Sequence, residues 1–421
     1  MAELGFTRLG LAEEVNRVLK ARSRAGAQGL SYATATERWV YRLLAGQTLW
    51  PRANYRGALE EIFGCSALEL GFLPPFGYRG PRSRLKIADA EGDMDRRRFL
   101  LITGTLGAVT VAIPDLGDST RIGLSDLERL RQPLKELRVL DQRQGGARLA
   151  PAAAEVVAEL GRILDNATMS AKVRRAAYAL QGEYLASAGW FAIDAADGEA
   201  AGRYLDRALT VAAMARDPLL QAQIWNVLAW RASEAGKWGE VLTIAQAGMA
   251  GAGARREPRI AAAMHGWAAE GYAVQGHQGS ATRSIGRAHD ALEKVTSSDP
   301  PALWLNFVDH SEIDAFGSNA ARSLGRYQVA NELAERAMLS TPEGRERNRV
   351  SRGLMLTQAR LGLREVEAAV EAAEEPLSRM TAVHSGRVIR RAREIRDEIA
   401  QWPEVPAARD WVARFDAVAS A

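Results

Sequence analysis

Cysteine is almost missing from this chain: Cys65 is the only one in 421 residues. That excludes an intramolecular disulfide and a thiolate metal cluster, and points to a reducing compartment. Cys65 follows Phe63-Gly64 beside a predicted core and reads as a small buried apolar side chain. Histidine is nearly as scarce. His265, His277, His289, His310 and His384 are scattered, with no His-Glu-x-x-His pair to hold a metal. A Walker phosphate loop and a Gly-x-Ser-x-Gly elbow are also missing. Gly251-Ala-Gly253 has no strand before it and is a turn, not a nucleotide fingerprint. Carboxylates occur at helix-surface spacings rather than as acid–base pairs. No enzyme, metal or cofactor is expected from this inventory. No apolar run reaches the ~20 residues needed to cross a bilayer, and no membrane partner is expected.

What remains is an ordinary globular composition, 47% hydrophobic and 25% charged, long enough for two or three domains. The net charge of +4 is unevenly placed. Residues 1–88 carry 13 Lys+Arg against 7 Asp+Glu, and the rest carries 42 against 44. The positive excess therefore sits in the first fifth of the chain, where it could displace counterions from phosphates. A solvated basic face without a partner fits the same numbers.

Within that basic segment, Thr34 followed by Glu37 reads as a capping box opening a short helix. Trp39, Val40, Leu43 and Leu44 fall on one helical stripe, and Gly46 supplies a left-handed stop. The opposite face carries Thr36, Arg38, Tyr41 and Arg42. A short helix buried on one side and presenting such groups on the other suits a major-groove reader. Those four residues are expected at base edges, with Arg52 and Arg56 on phosphates.

The segment resembles the helix-turn-helix domain of bacterial repressor-like (xenobiotic-response-element type) transcription regulators. The matching residues are Val40, Leu43, Gly46, Trp50, Pro51, Arg56, Ala58, Leu59, Phe63, Gly64, Glu69, Leu70, Gly71 and Phe72, with Leu11 to Leu19 as the preceding helix. The resemblance covers roughly the first 75 residues. It implies a cytoplasmic, nucleoid-associated protein that binds double-stranded DNA, as a homodimer. One departure stands: the family normally has a further helix upstream, and only Met1 to Thr7 is available for it. Residues 1–75 are thus read as a reader domain lacking its first helix. The alternative is a small helical domain that binds no DNA, attached to an interaction scaffold.

Pro74-Pro75 through Pro81 closes this domain. In the segment 76–120, Arg96-Arg97-x-Phe99-Leu100 and the apolar stretch to Ile113 resemble a twin-arginine export signal. Its internal position and a run of about 15 residues count against export. Regulators of the resembled type often carry a similar segment, which implies another role. A buried connector helix is the reading preferred. Translation beginning at Met94, or a surface helix docking on a membrane or partner, are the alternatives.

From about Lys172 the chain reads as helical hairpins turning at Gly189, Gly236, Gly276, Gly325 and Gly362. Small residues recur at +5, +9 and +12: Ala330, Ala334 and Ala337 after Gly325, and Ala281, Ile285 and Ala288 after Gly276. Pro218, Pro258 and Pro300 punctuate the repeats. Residues 121–421 are therefore expected to form an α-solenoid of tetratricopeptide-like pairs, an irregular helical bundle being the competitor. The fold class expected for the whole is all-α. Positions 13, 10, 6 and 3 before each turn glycine place Glu183, Gln223, Asn226, Trp230, Glu270, Glu312, Asn319 and Arg322 on the inner surface. Asn side chains there could hold an extended peptide, with Trp230 as apolar anchor. The same residues could also be simply solvated, with Trp230 packed between helices. The layout is that of a DNA-binding regulator sensing a peptide, small molecule or protein.

Overall fold

Asp197, Asp217, Asp309, Ser170 and Ser385 each stand one residue before a helix and accept a backbone N–H from its first turn. Such caps satisfy amides that the helix itself leaves unpaired. The computed structural model describes residues 7–24, 34–44, 51–63, 97–104, 107–114, 121–296 and 303–420. Among these the chain is helical apart from one two-stranded hairpin, and it divides into two compact units, Met1–Ala88 and Asp89–Ala421.

The first unit contains α1 (Arg8–Arg24), α2 (Glu37–Leu44) and α3 (Ala53–Phe63). Leu11, Val15, Val18, Val40, Ala58 and Leu59 form its core, and the Trp39 and Tyr55 rings meet 4.7 Å apart. Asn16 of α1 ties down the approach to α2 by bonding Ala35 twice: its amide donates to the Ala35 carbonyl (2.8 Å) and its carbonyl accepts the Ala35 N–H (2.7 Å). With Ala35 held, the cap of α2 is Thr36, whose hydroxyl accepts the Trp39 N–H at 3.2 Å. The expected Thr34–Glu37 box is corrected accordingly. Gly46, Trp50, Gly64, Cys65 and the stretch Glu69–Phe72 lie outside the described residues.

The second unit opens with β1 (Arg97–Gly104) and β2 (Gly107–Pro114), antiparallel in a register that pairs Arg97 with Pro114 and Gly104 with Gly107. The expected connector helix is therefore wrong. The strands contain Ile102, Thr103, Val109, Thr110, Val111 and Ile113, β-branched types that favour extended backbone, and glycine at both ends of the turn permits the tight reversal. Arg97 opens β1, while Arg96 lies outside the described residues.

Next come α4 (Leu124–Gln144) and α5 (Ala150–Asn166), and then five helical pairs. These are α6 (Ala171–Asp194) with α7 (Gly198–Ala215), α8 (Pro218–Glu234) with α9 (Trp238–Ala250), α11 (Pro258–Val274) with α12 (Gln278–Leu292), α13 (His310–Ser323) with α14 (Tyr327–Leu339), and α15 (Glu346–Gly362) with α16 (Val366–Arg379). A single turn, α10 (Ala252–Arg256), separates the second pair from the third, and α17 (Gly386–Ile399) and α18 (Pro406–Ser420) end the chain. Pro218 and Pro258 open α8 and α11 instead of closing the preceding helices, occupying the first helical position where a missing N–H costs nothing. Pro300 lies outside the described residues.

One turn recurs five times. The amides of Asp197, Lys237, His277, Arg326 and Glu365 each bond the carbonyl five residues back, and the residue before each has positive φ: Ala196, Gly236, Gly276, Gly325 and Arg364. This is the left-handed closure of a helix C-terminus. Two of the expected turn glycines are therefore displaced. Gly189 lies inside α6 and Gly362 is the last residue of α15; a Cβ on Gly189 would come within 2.9 Å of the Leu205 side chain, and one on Gly362 would strike the Tyr327 ring. Close helix approach, not turning, explains those glycines. Ala281, Ala288, Ala330, Ala334 and Ala337 are buried where second helices meet their neighbours.

The segment leading into α17 returns to the start of the array. The His384 amide bonds the Gln144 carbonyl, and the Ala147 amide bonds the His384 carbonyl. Ser385 donates to Asp194 at 2.7 Å across 191 residues of sequence. As a result α17 lies against the inner residues of the first helices.

Candidate functional site

Two surfaces carry chemistry, one in each unit. In the first unit, Val40 is buried while Thr36, Arg38, Tyr41 and Arg42 are exposed, so the predicted reading face of α2 is open. Tyr41 is 49% exposed, and the Arg8 guanidinium of α1 stands 5.2 Å from its ring centroid. Arg8, which sequence reasoning missed, adds a third cation to this face by stacking on an aromatic group. Arg52 is exposed at the start of α3, and Arg56 is half-buried. The Thr36 hydroxyl is engaged as a cap, which leaves chiefly Arg38, Tyr41 and Arg42 to face a partner.

In the second unit the eight expected inner residues divide into three groups. Gln223, Asn226, Trp230 and Glu312 line one cavity of about 100 Å³. Glu270, Asn319 and Arg322 form a second polar cluster with Arg391 of α17. Glu183 belongs to neither: it pairs with Arg131 and lies 3.7 Å from Arg138, both on α4.

Trp190, Phe191, Trp230, Trp304 and Phe307 supply the cavity's aromatic wall, and two of them belong to a longer series of rings. Trp190, Trp230, Trp267 and Phe316 follow one another edge to face, with centroids 5.3, 4.8 and 4.8 Å apart. Such geometry adds to burial because ring edges are positive and ring faces negative. Trp230 is thus part of a ladder joining four helices. Asn226 fixes the ladder, its carbonyl accepting the Trp267 N–H at 3.0 Å. It is therefore committed in part to its own fold, which a free peptide-gripping Asn would not be.

Around the rings stand buried ion pairs. Arg347 of α15 bonds Asp141 of α4 and reaches Asp194 at the end of α6 (3.4 Å). Its guanidinium sits 4.9 Å from the Trp190 ring, whose N–H donates to Asp141 at 3.0 Å. Burial opposes the charge on Arg347, but the two carboxylates outweigh it and hold its pKa above the ordinary value. Burial raises Asp141 above the usual carboxylate range, the nearby Arg347 opposing it. Asp194 is fully buried and accepts the Gly146 N–H at 2.7 Å as well as the Ser385 hydroxyl. Arg352 of α15 pairs with Glu312 of α13 in the same lining.

In the second cluster the Asn319 amide donates to Glu270 at 2.7 Å. Burial pushes Glu270 up to about 7, against the pull of Asn319, Arg391 and Arg322. Arg391 donates to Gln358 at 2.7 Å, and burial beside Arg322 and Arg387 lowers it to about 10, so it stays charged at neutral pH. Asp141, Asp194, Arg347 and Arg387 were missed by sequence reasoning. They lie outside the inner positions that the turn spacing selects, and their partners are about 150 to 200 residues away.

Among the described residues, no helix is long and apolar enough to cross a membrane. The chain finds no match among protein-family models or among curated proteins.

Proposed function

We propose that this chain is a DNA-binding transcriptional regulator, with a helix-turn-helix head of the repressor-like type and a tetratricopeptide-like repeat domain that senses a ligand. The observation that carries the first half is the exposed face of α2: Arg38, Tyr41 and Arg42 stand over a buried Val40, with Arg8 on the Tyr41 ring. Phosphate attraction from the basic first unit supports it. The recurrent left-handed closure after each first helix, followed by small buried residues, supports the repeat assignment. The sensing role rests on the interior of the array, where polar and aromatic groups converge on one cavity. Two copies acting on paired half-sites suit this class of reader.

The test is a gel-shift titration of the full chain on duplex DNA from its own upstream region at two salt concentrations. Arg38→Ala and Arg42→Ala should each weaken binding by about 1–3 kcal/mol. Wild type and both variants binding alike would refute the assignment of α2 as the reading helix. If no duplex is bound even at low salt, the DNA-binding half fails and a repeat interaction protein remains.

A further inference from the structure

We propose that the cavity beside the Trp190–Trp230 ladder is a binding site for a small organic carboxylate with a flat apolar body, and that Arg387 is its anchor. Arg387 lines the cavity and is only 9% exposed, yet its Nε finds no acceptor among the described residues. The Asp194 and Glu234 carboxylates stand 3.6 and 3.9 Å from its nitrogens, too far for good hydrogen bonds. Its guanidinium lies instead over two rings, 4.8 Å from the centroid of Trp230 and 5.6 Å from that of Trp190. A buried guanidinium stacked on aromatic faces and short of acceptors is oriented for a planar, two-pronged anion.

Two more lining arginines repeat the pattern: the Nε atoms of Arg347 and Arg352 are buried without an acceptor, although each head group is paired elsewhere. In the same lining, the Oε1 atom of Gln223, 3% exposed, lacks a donor. Unsatisfied groups this deep are costly, and a ligand that reached them would recover that cost as affinity. The complement is an anion beside a hydroxyl or amine, carried on a body that packs against indole. The volume of about 100 Å³ admits a few water molecules or one small ring. Of the three ligand classes open to the repeat domain, the small molecule is therefore the one this cavity fits.

The inference names the ligand class for the sensing interior proposed above, and its test is independent of DNA binding. The full chain is titrated calorimetrically with 2-hydroxybenzoate, with the uncharged 2-hydroxybenzamide and with inorganic phosphate. The carboxylate should bind saturably, and the amide and phosphate at least tenfold more weakly. Arg387→Gln should weaken the carboxylate at least tenfold, while Arg393→Gln, exposed on the same helix, should leave it unchanged. Should Arg387→Gln fail to fold, Gln223→Met provides the second arm: it removes an acceptor that has no partner in the fold and should weaken 2-hydroxybenzoate more than it weakens benzoate. Absence of binding at about 10 mM, far weaker than a built site gives, overturns the proposal. Equal binding of acid and amide does so too, as does insensitivity of the carboxylate to whichever pocket variant folds. Loss of DNA shifts with ligand binding intact would overturn the DNA-reading proposal alone.

Discussion

Removing the Asp194 carboxylate should open the closure of the repeat unit, and the structure sets the scale of the loss. Asp194 is fully buried and meets four groups: the Gly146 N–H, the Ser385 hydroxyl, Arg347, and at longer range Arg387. In Asp194→Ala the Gly146 amide and the Ser385 hydroxyl lose their partner while still buried, at about 1–3 kcal/mol each. Arg347 keeps Asp141 but loses its second carboxylate, and breaking one side of a buried ion pair costs about 3–5 kcal/mol. These losses overlap because the groups share one pocket, so a total of about 4 kcal/mol is expected. Urea unfolding followed by tryptophan fluorescence would report it, Trp190 lying directly on Arg347. Hydrogen exchange should accelerate at Gly146 and Val388, the amides that Asp194 and Ser385 hold. Ser385→Ala combined with Asp194→Ala should show about 1 kcal/mol of coupling, since the two share one hydrogen bond. A loss below about 1 kcal/mol together with no coupling would refute the claim that this carboxylate locks the two ends of the array.

Glu270→Gln should change the pH profile of stability. Because the folded-state pKa of Glu270 is raised to about 7, the wild type holds its full stability below the ordinary glutamate value and loses it as pH rises towards 7. Relative to wild type the variant should therefore gain about 3 kcal/mol between pH 4 and pH 8, read from urea midpoints. Gly236→Ala should cost about 1 kcal/mol through backbone strain alone, because φ is +69° and no atom lies near the new Cβ, whereas Arg364→Gly should gain up to about 1 kcal/mol. Thermal melts of the pair would check both signs. Asn16→Ala should free both Ala35 backbone groups and cost about 2 kcal/mol, seen as roughly thirtyfold faster amide exchange at the start of α2.

Helix periodicity and turn chemistry were legible wherever a residue type has a single local job. Gly236, Gly276 and Gly325 announce their turns because little else adopts positive φ cheaply. Gly189 and Gly362 look identical in sequence, yet they serve Leu205 and Tyr327 on neighbouring helices, a demand that only tertiary structure reveals. Conversely Ala196 and Arg364 turn left-handed without a glycine to mark them. Restoring them makes the turns fall 40, 40, 49 and 39 residues apart, more regular than the glycines alone suggest. The hairpin was misread for a different reason. A short apolar run from Phe99 to Ile113 satisfies helix and strand alike, and its β-branched content with Gly104 and Gly107 was the signal that should have decided.

The interior site shows where one-dimensional reasoning stops. Spacing before the turns found four residues of the cavity, because inner positions of first helices repeat with the array. It could not find α17. Gly386–Ile399 carries Arg387, Arg390, Arg391, Arg393 and Arg396, a pattern that reads as a solvated basic face. The folded chain distributes them otherwise. Arg387 enters the aromatic cavity, Arg390 pairs with Glu234 of α8, and Arg391 reaches Gln358 of α15, while Arg393 stays exposed and Arg396 pairs with Asp416. Burying such charges is tolerable only because carboxylates, amides and rings on several helices receive them together. If an anion supplied the missing acceptor at Arg387, it would strengthen the grip of α17 on α6 and α8. Ligand binding would then favour the closed array over an open one, which is the physical requirement for a sensor whose occupancy alters its shape.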